Sequence, residues 1–404
     1  MRVCGIICEY DPFHNGHAYH MQYVRHQTRC DYIVCAMSGH FTQRGRPALL
    51  SKWARAEMAL ACGADAVFEL PTIFAVRDAE RFARGGVDLL DSLGVVTDLG
   101  FGSESGEMDA LTRQATAQEN SALVKAGLQR GETLARARAE AGKVSDLPSD
   151  IQKLKISSVT SLGQGAPNDI LAVEYLRAIQ KSGSAMNPVA VLRRGGAYHD
   201  PAFHALASAT GIRNALQNGM DVQSAMPAAA WRVLSAAISR GEAQKPDGLD
   251  AALLYLLRTM TKEQLADIAD VSEGLENRIL KMARRTASRE SLLEAVKCKR
   301  YTWARLSRIL TQALLGISKD VVARNPAPAY ARLLGFREDA RPLLSAIRKN
   351  CKVPVVTRAA KAPDACGEML SLDIAAGDIW SLGLLNPELR HGGRDLQTAP
   401  VIVR

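Results

Sequence analysis

The chain lacks several features that would point to particular classes of protein. None of its eight cysteines forms a Cys-x-x-Cys pair, which argues against zinc ribbons and thioredoxin-type redox sites. Five of the cysteines lie in or beside apolar runs, where thiols pack as small hydrophobic groups. We therefore expect free thiols, because disulfides are rare in the cytosol.

Long apolar runs are also missing. No stretch reaches the roughly 18 to 20 uncharged apolar residues of a membrane helix, and no basic N-terminal segment leads into an apolar run. We expect a cytoplasmic protein that makes no membrane contact. The length of 404 residues, with 47% hydrophobic and 23% charged residues, is typical of a folded chain with two domains.

Acidic residues are scarce in one part of the chain. Between residues 276 and 361 there are 20 Lys and Arg against 6 Asp and Glu, whereas the remainder carries a net charge of −5. This imbalance favours a surface that binds a polyanion such as nucleic acid. The alternative is a solvated helical surface without such a partner.

Short β-rich segments alternate with helical segments in the first half of the chain. This alternation predicts βαβ units and a parallel, Rossmann-like sheet in an α/β domain that covers residues 1–218. The predicted strands are 2–10, 31–37, 65–70, 97–102 and 187–192. The predicted helices are 16–28, 51–62, 77–92, 108–142, 168–181 and 208–217, with a loop at 143–150.

The second half of the chain has a different pattern. A polar break at 242–250 closes a predicted linker or helical connection over 219–250. Helical periodicity then dominates residues 251–404, although the segment 352–358 could return one strand to a sheet. We therefore predict a mostly α-helical basic domain after the α/β domain.

The segment EYDPFHNGHAYH, residues 9–20, follows the first predicted strand. Its loop lies at the carboxyl end of a parallel strand, where open α/β sheets bind ligands. Pro12 ends the strand, and Gly16 allows close approach of the backbone at the start of a helix. The exposed amides and the helix dipole favour an anion, and phosphate is the usual one.

The three histidines of this segment have alternative interpretations. His14, His17 and His20 could form a catalytic zinc set. However, their HxxHxxH spacing lacks the i, i+4 pair and the glutamate of HExxH enzymes, so we predict no metal site. For His20 alone, packing of the helix is as good an interpretation as function.

Two short motifs resemble the signatures of the HIGH-type nucleotidyltransferase superfamily. HNGH at 14–17 resembles its HxGH signature, and SATGIR at 208–213 resembles its second signature, SSTxxR. Ser208 and Thr210 are of the type that caps helices and can also receive a phosphate, and Arg213 adds a charged donor. The resemblance implies a parallel sheet of the HIGH nucleotidyltransferase type.

The resemblance is closer still to the bacterial tRNA(Met) cytidine acetate ligase family. The segments that carry it are GIICEYDPFHNGHAYH, MSGHFTQRGRPAL, SKWARAEMAL, GADAVFELP, FGSE, PNDILAVEY, LRRGGAYHD, ASATGIR, DVSEGLENRI and CKRYTWARLSRIL. One departure is Asp11, where the family more often has asparagine. A carboxylate there could weaken nucleotide binding or help to hold a magnesium ion.

The resemblance implies a two-step reaction. ATP and acetate form acetyl-adenylate and pyrophosphate, and the acetyl group then passes to N4 of the wobble cytidine of elongator tRNA(Met), giving N4-acetylcytidine. Acetate is already ionised at neutral pH, so the first step requires orientation and charge stabilisation rather than a protein nucleophile. Mg²⁺ would be carried by ATP.

The resemblance also implies the residues of an ATP site. His14 and His17 would bind the phosphates and stabilise the charge that develops during adenylation. The other expected residues are Ile7, Cys8, Glu9, Tyr10, Asp11, Pro12, Phe13, Asn15, Gly16, His20, Gly102, Asn168, Arg193, Arg194, Ser208, Thr210 and Arg213. The glycine pair of LRRGGAYHD leaves open whether Arg193 or Arg194 makes the main contact. Lys52 and Arg55, on one helical turn, could touch phosphate or RNA.

The basic segment is then expected to bind tRNA. Its candidate phosphate contacts are Lys297, Lys299, Arg300, Arg305 and Arg308. Tyr301 and Trp303 lie between them and could stack on an unpaired base of the anticodon loop, or could pack in the helical core instead.

Two other functions fit parts of the sequence. A small-molecule nucleotidyltransferase, which transfers an adenylyl or cytidylyl group to a cofactor precursor, would use the same two signatures. It would not need the basic helical half. A non-catalytic RNA-binding protein on the same fold would not need His14, His17 and Arg213.

Overall fold

A computed structural model describes residues 1–116, 127, 167–193, 208–272 and 274–404. These residues form one eight-stranded sheet with helices on both faces. The predicted loop at 143–150, nearly all of the predicted helix beyond residue 116, and Arg194 lie outside the described residues.

Five parallel strands form the centre of the sheet, in the order β5-β4-β1-β2-β3. They are β1 (Val3–Cys8), β2 (Tyr32–Ser38), β3 (Ala66–Leu70), β4 (Asp98–Ser103) and β5 (Asn187–Leu192). All five confirm predicted strands to within two residues at each end. Helices cover both faces of the sheet, which explains why β1 to β4 are buried along nearly their whole length rather than at alternate residues.

Strands from the second half of the chain extend the same sheet. β6 (Ala331–Arg337) lies antiparallel to β3, and both β7 (Val355–Val356) and β8 (Val401–Val403) pair with β6. β7 confirms the strand predicted within 352–358. The helical prediction was wrong for β6 and β8. A short apolar run such as β6 has no periodicity that separates strand from helix, and β8 has only three residues, too few to show a period.

Helices of the first half follow the prediction closely. They are α1 (Asn15–Thr28), α2 (Lys52–Ala61), α3 (Thr72–Ala75), α4 (Ala79–Ser92), α5 (Met108–Thr116), α6 (Pro167–Ser182) and α7 (Ala209–Gln217). Apolar side chains of α4, α5 and α6 join the core on one face of the sheet, and those of α1 and α2 join the core on the other.

The described part of the second half is mainly helical. Its helices are α8 (Ala228–Ser239), α9 (Asp250–Thr259), α10 (Lys262–Ala266), α11 (Leu275–Ala283), α12 (Arg289–Val296), α13 (Trp303–Leu315), α14 (Lys319–Arg324), α15 (Arg341–Asn350), α16 (Gly367–Ser381) and α17 (Arg394–Gln397). Helices α9 to α13 share a hydrophobic core of their own, whereas α8 packs against α2. The domain boundaries at 218 and 250 stay predictions. None of the described helices has the length and apolarity needed to cross a membrane.

The carboxyl ends of the central strands lie at one edge of the sheet, where α/β proteins bind their ligands. The loop after β1, the loop after β2 and the loop after β4 all meet at this edge, together with the starts of α1 and α6. The candidate active site lies there.

Candidate active site

The two histidines of the HNGH segment cap helix α1. The Nδ1 atom of His14 accepts a hydrogen bond from the amide of Gly16 at 3.1 Å, and Nδ1 of His17 accepts one from the amide of His14 at 3.2 Å. The two rings stack with their centroids 3.7 Å apart. This reciprocal capping box satisfies amides at the start of the helix and holds both rings in place.

Both imidazoles are neutral. Burial, with smaller effects from Arg193 and Arg213, lowers the pKa of His14 to about 3. Burial and the neighbouring His14 hold the pKa of His17 well below its ordinary value. Because Nδ1 of each ring accepts a hydrogen bond, the single proton is on Nε2. The start of α1 therefore carries two neutral N–H donors in fixed positions.

Aromatic side chains of the preceding loop support His17. Tyr10 is 2% exposed and Phe13 is 0% exposed, and their ring centroids lie 4.8 and 5.5 Å from that of His17. Cys8 is buried as well, and Ile7 packs against Gly86, where a Cβ atom would come within 2.6 Å of it. The rings of Tyr10 and Phe13 thus pack against His17.

His20 lies one turn further along α1. Burial and the nearby Arg193 lower the pKa of His20 to about 4. Its Nε2 atom is buried and has no hydrogen-bond partner among the described residues. A buried nitrogen that lacks a partner favours a ligand role over simple packing, and that role stays a prediction.

Asp11 links the two signature motifs. Its Oδ2 lies 3.1 Å from Nη1 of Arg213, which also donates to the Asp11 carbonyl, and Nη2 of Arg213 donates to Oγ1 of Thr210 at 2.9 Å. Oδ1 of Asp11 accepts from the amide of Leu49 at 2.6 Å. Asp11 is therefore engaged on both oxygens, and it positions Arg213 beside the histidines. The Asp11-Pro12 peptide bond is cis.

Two other predicted residues make hydrogen bonds within the protein near the site. Ser208 is the N-cap of α7 and accepts a hydrogen bond from the amide of Gly211 at 3.2 Å. Asn15 donates from Nδ2 to the carbonyl of Ser224 at 2.9 Å. Both therefore have structural roles, and their contact with ATP stays a prediction.

The FGSE and PNDI segments cap one another. Glu104 accepts from the amides of Asn168 and Asp169 at the start of α6, at 3.2 and 2.8 Å. In return, Asp169 accepts from Ser103 and from the amides of Glu104 and Ser105. Carboxylates at a helix start are stabilised by the helix dipole. This reciprocal arrangement fixes the loop after β4 against α6.

Arg193 runs across Gly102 on the exposed side of this pair. A Cβ atom on Gly102 would lie 3.3 Å from Cγ of Arg193, so the missing side chain makes room for the arginine. Nη1 of Arg193 donates to Oδ1 of Asn168 at 3.4 Å. The structure thus brings three predicted residues together, close enough to His14 for the charge of Arg193 to lower its pKa.

The suggested ligand role of Lys52 and Arg55 was wrong. Both side chains are 0% exposed. Lys52 donates to Glu69 at 2.7 Å and pairs with Asp395, whereas Arg55 donates to main-chain carbonyls, among them that of Glu9 at 2.6 Å. The spacing placed both on one face of α2, as expected, but that face packs against the sheet.

The basic segment before and within α13 divides into two groups. Lys299, Arg300 and Trp303 are exposed, and Trp303 is 50% exposed. Arg308, by contrast, is 5% exposed and lies 3.3 Å from Asp270. The prediction that Arg308 contacts tRNA therefore conflicts with its burial in an ion pair.

The remaining members of this segment are partly engaged inside the protein. Arg305 donates to the carbonyl of Asp270 and to Oγ of Ser272 at 3.2 and 2.6 Å. Lys297 donates to the carbonyl of Cys298 and lies 5.9 Å from the centre of the Trp303 ring. Tyr301 is 6% exposed and belongs to the helical core. Of the two interpretations, base stacking and core packing, its burial favours core packing.

Sequence reasoning missed the loop after β2, residues 39–51, hereafter the β2 loop. The amide of Gln43 donates to Oε1 of Glu9 at 2.5 Å, next to the HNGH loop. Gly45 has a positive φ of 70°, and its carbonyl accepts from the hydroxyls of Ser307 and Thr311 at 2.8 and 2.7 Å. The β2 loop therefore connects the site to α13. The available signal was its position directly after a parallel strand.

Acidic, histidine and cysteine side chains do not gather into a metal site in the part of the chain that the structure describes: no group of three could hold an ion. Asp11, three residues before His14, is engaged by Arg213 and by a backbone amide. The described residues therefore do not fit a metal held by the protein itself.

Comparisons with known proteins agree with this geometry. The family model described as HIGH Nucleotidyl Transferase matches residues 1–395. The chain is 37% identical over 402 residues to the tRNA(Met) cytidine acetate ligase of Thermoanaerobacter sp. (strain X514), covering 96% of this chain and 97% of that protein. It is 36% identical to the enzyme of the same name from Syntrophomonas wolfei, covering 99% of each chain.

Two solved structures are similar over their whole length. The apo crystal structure of Thermotoga maritima TmcAL has a TM-score of 0.89 and 34% identity, with 100% of both chains covered. The crystal structure of the same protein bound with alpha-thio ATP has a TM-score of 0.88, again with 34% identity and 100% coverage.

Proposed function

The chain belongs to the tRNA(Met) cytidine acetate ligase family, and we propose that it is an ATP-dependent ligase that acetylates N4 of the wobble cytidine of elongator tRNA(Met). The observation that carries this proposal is the capping box of His14 and His17, which presents two neutral Nε2–H donors at the carboxyl end of β1. Donors in such a place suit the phosphates of a nucleotide.

The first step is adenylation of acetate. A carboxylate oxygen attacks the α-phosphorus of ATP, the bond from that phosphorus to the bridging oxygen breaks, and pyrophosphate leaves with the bonding electrons. His14 and His17 donate hydrogen bonds to phosphate oxygens whose charge grows during this step. Donors that are already in position cost no reorganisation when the reaction occurs, and this makes them effective.

The cationic side chains around the histidines complete the nucleotide site. Arg213, positioned by Asp11, and Arg193, which crosses Gly102 and contacts Asn168, both add positive charge near His14. Guanidinium groups suit phosphate oxygens because they donate in a planar fork. We assign the ATP site to these residues and to the loop of residues 7–17, with Mg²⁺ brought by the nucleotide.

The second step transfers the acetyl group. The N4 amine of the cytidine attacks the carbonyl carbon of acetyl-adenylate, the bond from that carbon to the AMP oxygen breaks, and AMP leaves while the nitrogen loses a proton. The cytidine must be unpaired for its amine to reach the adenylate. A base in an anticodon loop meets this condition.

The exposed basic residues near the start of α13 are the proposed contact for the tRNA backbone. Lys299 and Arg300 are exposed next to Trp303, whose ring offers a face for an unstacked base. We further propose that the enzyme acts in the cytoplasm, where its tRNA substrate is found.

One assay tests the proposal directly. The protein is incubated with radiolabelled acetate, ATP, magnesium and bulk tRNA, and the tRNA is then digested to nucleosides. We expect the label in N4-acetylcytidine, and only when ATP is present. If no label enters that nucleoside, the proposed function is wrong. Transfer of AMP to a small acceptor would instead support a small-molecule nucleotidyltransferase.

A further inference from the structure

Arg46, in the β2 loop, has a guanidinium group with no partner in the described structure. Its Nε atom is buried without a hydrogen bond, and no ion pair joins it to a carboxylate among the described residues. Burying an unpaired charge is costly, so such a group normally has an anionic partner. The partner of Arg46 is therefore expected to be a ligand.

The backbone on both sides of Arg46 is held in place. The amide of Gln43 donates to Glu9 at 2.5 Å, and the amide of Leu49 donates to Asp11 at 2.6 Å. Between them, the carbonyl of Gly45 accepts hydrogen bonds from α13 and from the guanidinium of Arg289. Arg46 is thus carried by a rigid loop that is attached to the HNGH loop at two points.

The charges around Arg46 are already engaged elsewhere. Asp11 is bound by Arg213 and a backbone amide, and Glu9 accepts from a backbone amide through Oε1. Burial, and then the positive charge of Arg213, lower the pKa of Arg46, whereas the negative charges of Asp11 and Glu9 raise it. Arg46 and Arg213 are therefore close enough to repel one another, and a multiply charged anion that contacts both would stabilise both charges.

We propose that Arg46, which lies outside both signature motifs, binds the polyphosphate of ATP together with Arg213. This inference deepens the proposed function and rests on its ATP site. Arg46 then acts with Arg213 on the same phosphate chain, so that the β2 loop contributes to the site together with the loops after β1 and β4. The planar fork of arginine can engage two phosphate oxygens at once, which lysine cannot do.

The test measures ATP binding directly, so that it does not depend on acetyl transfer. ATP is titrated into the full-length protein and into its Arg46→Gln and Arg46→Lys variants, by calorimetry in the presence of magnesium. A lost hydrogen-bonded ion pair predicts an increase in Kd of about 10- to 100-fold for Arg46→Gln. Arg46→Lys is expected to fall between this variant and the wild type. Arg240→Gln, an exposed arginine paired with Glu242, removes the same charge elsewhere and should leave Kd unchanged.

The outcomes of the titration separate this inference from its alternatives. If ATP binds Arg46→Gln within about twofold of the wild type, the inference is wrong, whether or not tRNA binding is weakened. If Arg46→Gln does not fold, the comparison is made with Arg46→Lys, whose Kd must then exceed that of the wild type. A wild-type protein that binds ATP normally but never acetylates tRNA contradicts the proposed function and leaves the result on Arg46 intact.

Discussion

The loop of residues 7–17, hereafter the nucleotide loop, and the basic segment before α13 use polar side chains in opposite ways. In the nucleotide loop, His14, Asp11 and their partners are buried and held by hydrogen bonds to backbone atoms and to one another. In the basic segment, Lys299 and Arg300 are exposed. A reaction centre that develops charge benefits from donors in fixed positions, whereas an RNA backbone can be bound by adaptable surface charge.

The same difference is visible inside the basic segment itself. Arg308 is buried against Asp270, and Arg305 donates to the backbone of the helical region, although both were predicted to bind tRNA. The basic residues of this segment therefore have two different roles. Some arginines assemble the helical region, and only the exposed residues are available to a partner.

The largest effect is expected when both fixed donors are removed. His14→Ala combined with His17→Ala should lower acetate-dependent exchange of pyrophosphate into ATP by more than about 100-fold, because each preorganised donor contributes a factor of about 10² to 10³. ATP affinity should fall as well. The exchange assay without tRNA checks this, and unchanged ATP affinity would contradict the phosphate role.

A matched variant separates the chemical role of His14 from its capping role. His14→Asn keeps a side chain that caps helices well, so α1 should remain intact. Its shorter amide cannot reproduce the position of the Nε2–H donor. We expect near-normal thermal stability with a clear loss of exchange activity. Full activity in His14→Asn would show that only the cap matters.

The next comparison sets a buried arginine against exposed cations. Arg308→Gln should destabilise the protein by about 2 kcal/mol, because Asp270 loses a charged partner in a buried site, although Arg77 remains 3.5 Å from it. Lys299→Gln with Arg300→Gln should instead leave stability unchanged. That double variant should weaken tRNA binding about tenfold. The slope of log affinity against log salt concentration should fall by about two, as expected for the loss of two phosphate contacts.

Urea unfolding and filter binding over a range of salt concentrations measure both effects. If Arg308→Gln lowers the salt dependence of tRNA binding without loss of stability, the division of the segment into two groups is wrong. ATP binding serves as the internal control, because neither substitution touches the nucleotide loop.

A smaller effect concerns pH. The folded protein holds the pKa of His14 at about 3, below the value of about 6.5 in an unfolded chain. The unfolded state therefore binds the proton more readily. Titration of His14 leaves the stability of the protein undiminished only above about pH 6.5. As the pH falls below that value, the free energy of unfolding should decrease by up to about 1.4 kcal/mol per pH unit for this group.

Urea unfolding at pH 7.5 and pH 5.5 tests the titration of His14. The decrease in stability between the two pH values should be smaller in His14→Asn than in the wild type, since asparagine does not titrate. An identical decrease in both proteins would show that the imidazole of His14 is not buried in its neutral form.

The smallest effect is expected at the position where this chain departs from its family. Asp11→Asn keeps an oxygen for the amide of Leu49 but removes the negative charge beside Arg213. One charge fewer near the polyphosphate should tighten ATP binding about fivefold, equivalent to about 1 kcal/mol. Weaker binding would show instead that the negative charge of Asp11, and not only its oxygen atoms, is needed to hold Arg213 in place.

Much of the site was predictable from short motifs because local sequence determines local geometry. A strand followed by Pro12, a histidine pair and Gly16 predicts a strand end and a helix start with exposed amides. The second signature, two hundred residues later, could be joined to the first only through the fold. In the folded protein, the ion pair between Asp11 and Arg213 joins the two motifs.

Other parts were not predictable because they depend on which face of an element is buried. The sequence suggested a ligand contact for Lys52 and no role for Glu69, yet both lie with Arg332 and Asp395 in one buried network of charges. The network draws residues from α2, β3, β6 and α17. Strand β6 was missed for the same reason, since its burial comes from a neighbour that is remote in the chain.

By itself the sequence determined the class of fold, the succession of the central strands and most of their helices along the chain, and the two motifs at the start of α1 and α7. These depend on residue periodicity and on residues close in the chain. Only the tertiary structure decided which cations are available. Packing pairs Arg308 and Lys52 with buried carboxylates, whereas the buried Nε atom of Arg46 has no hydrogen-bond partner among the described residues. The reason is that a charge is neutralised by what lies near it in space.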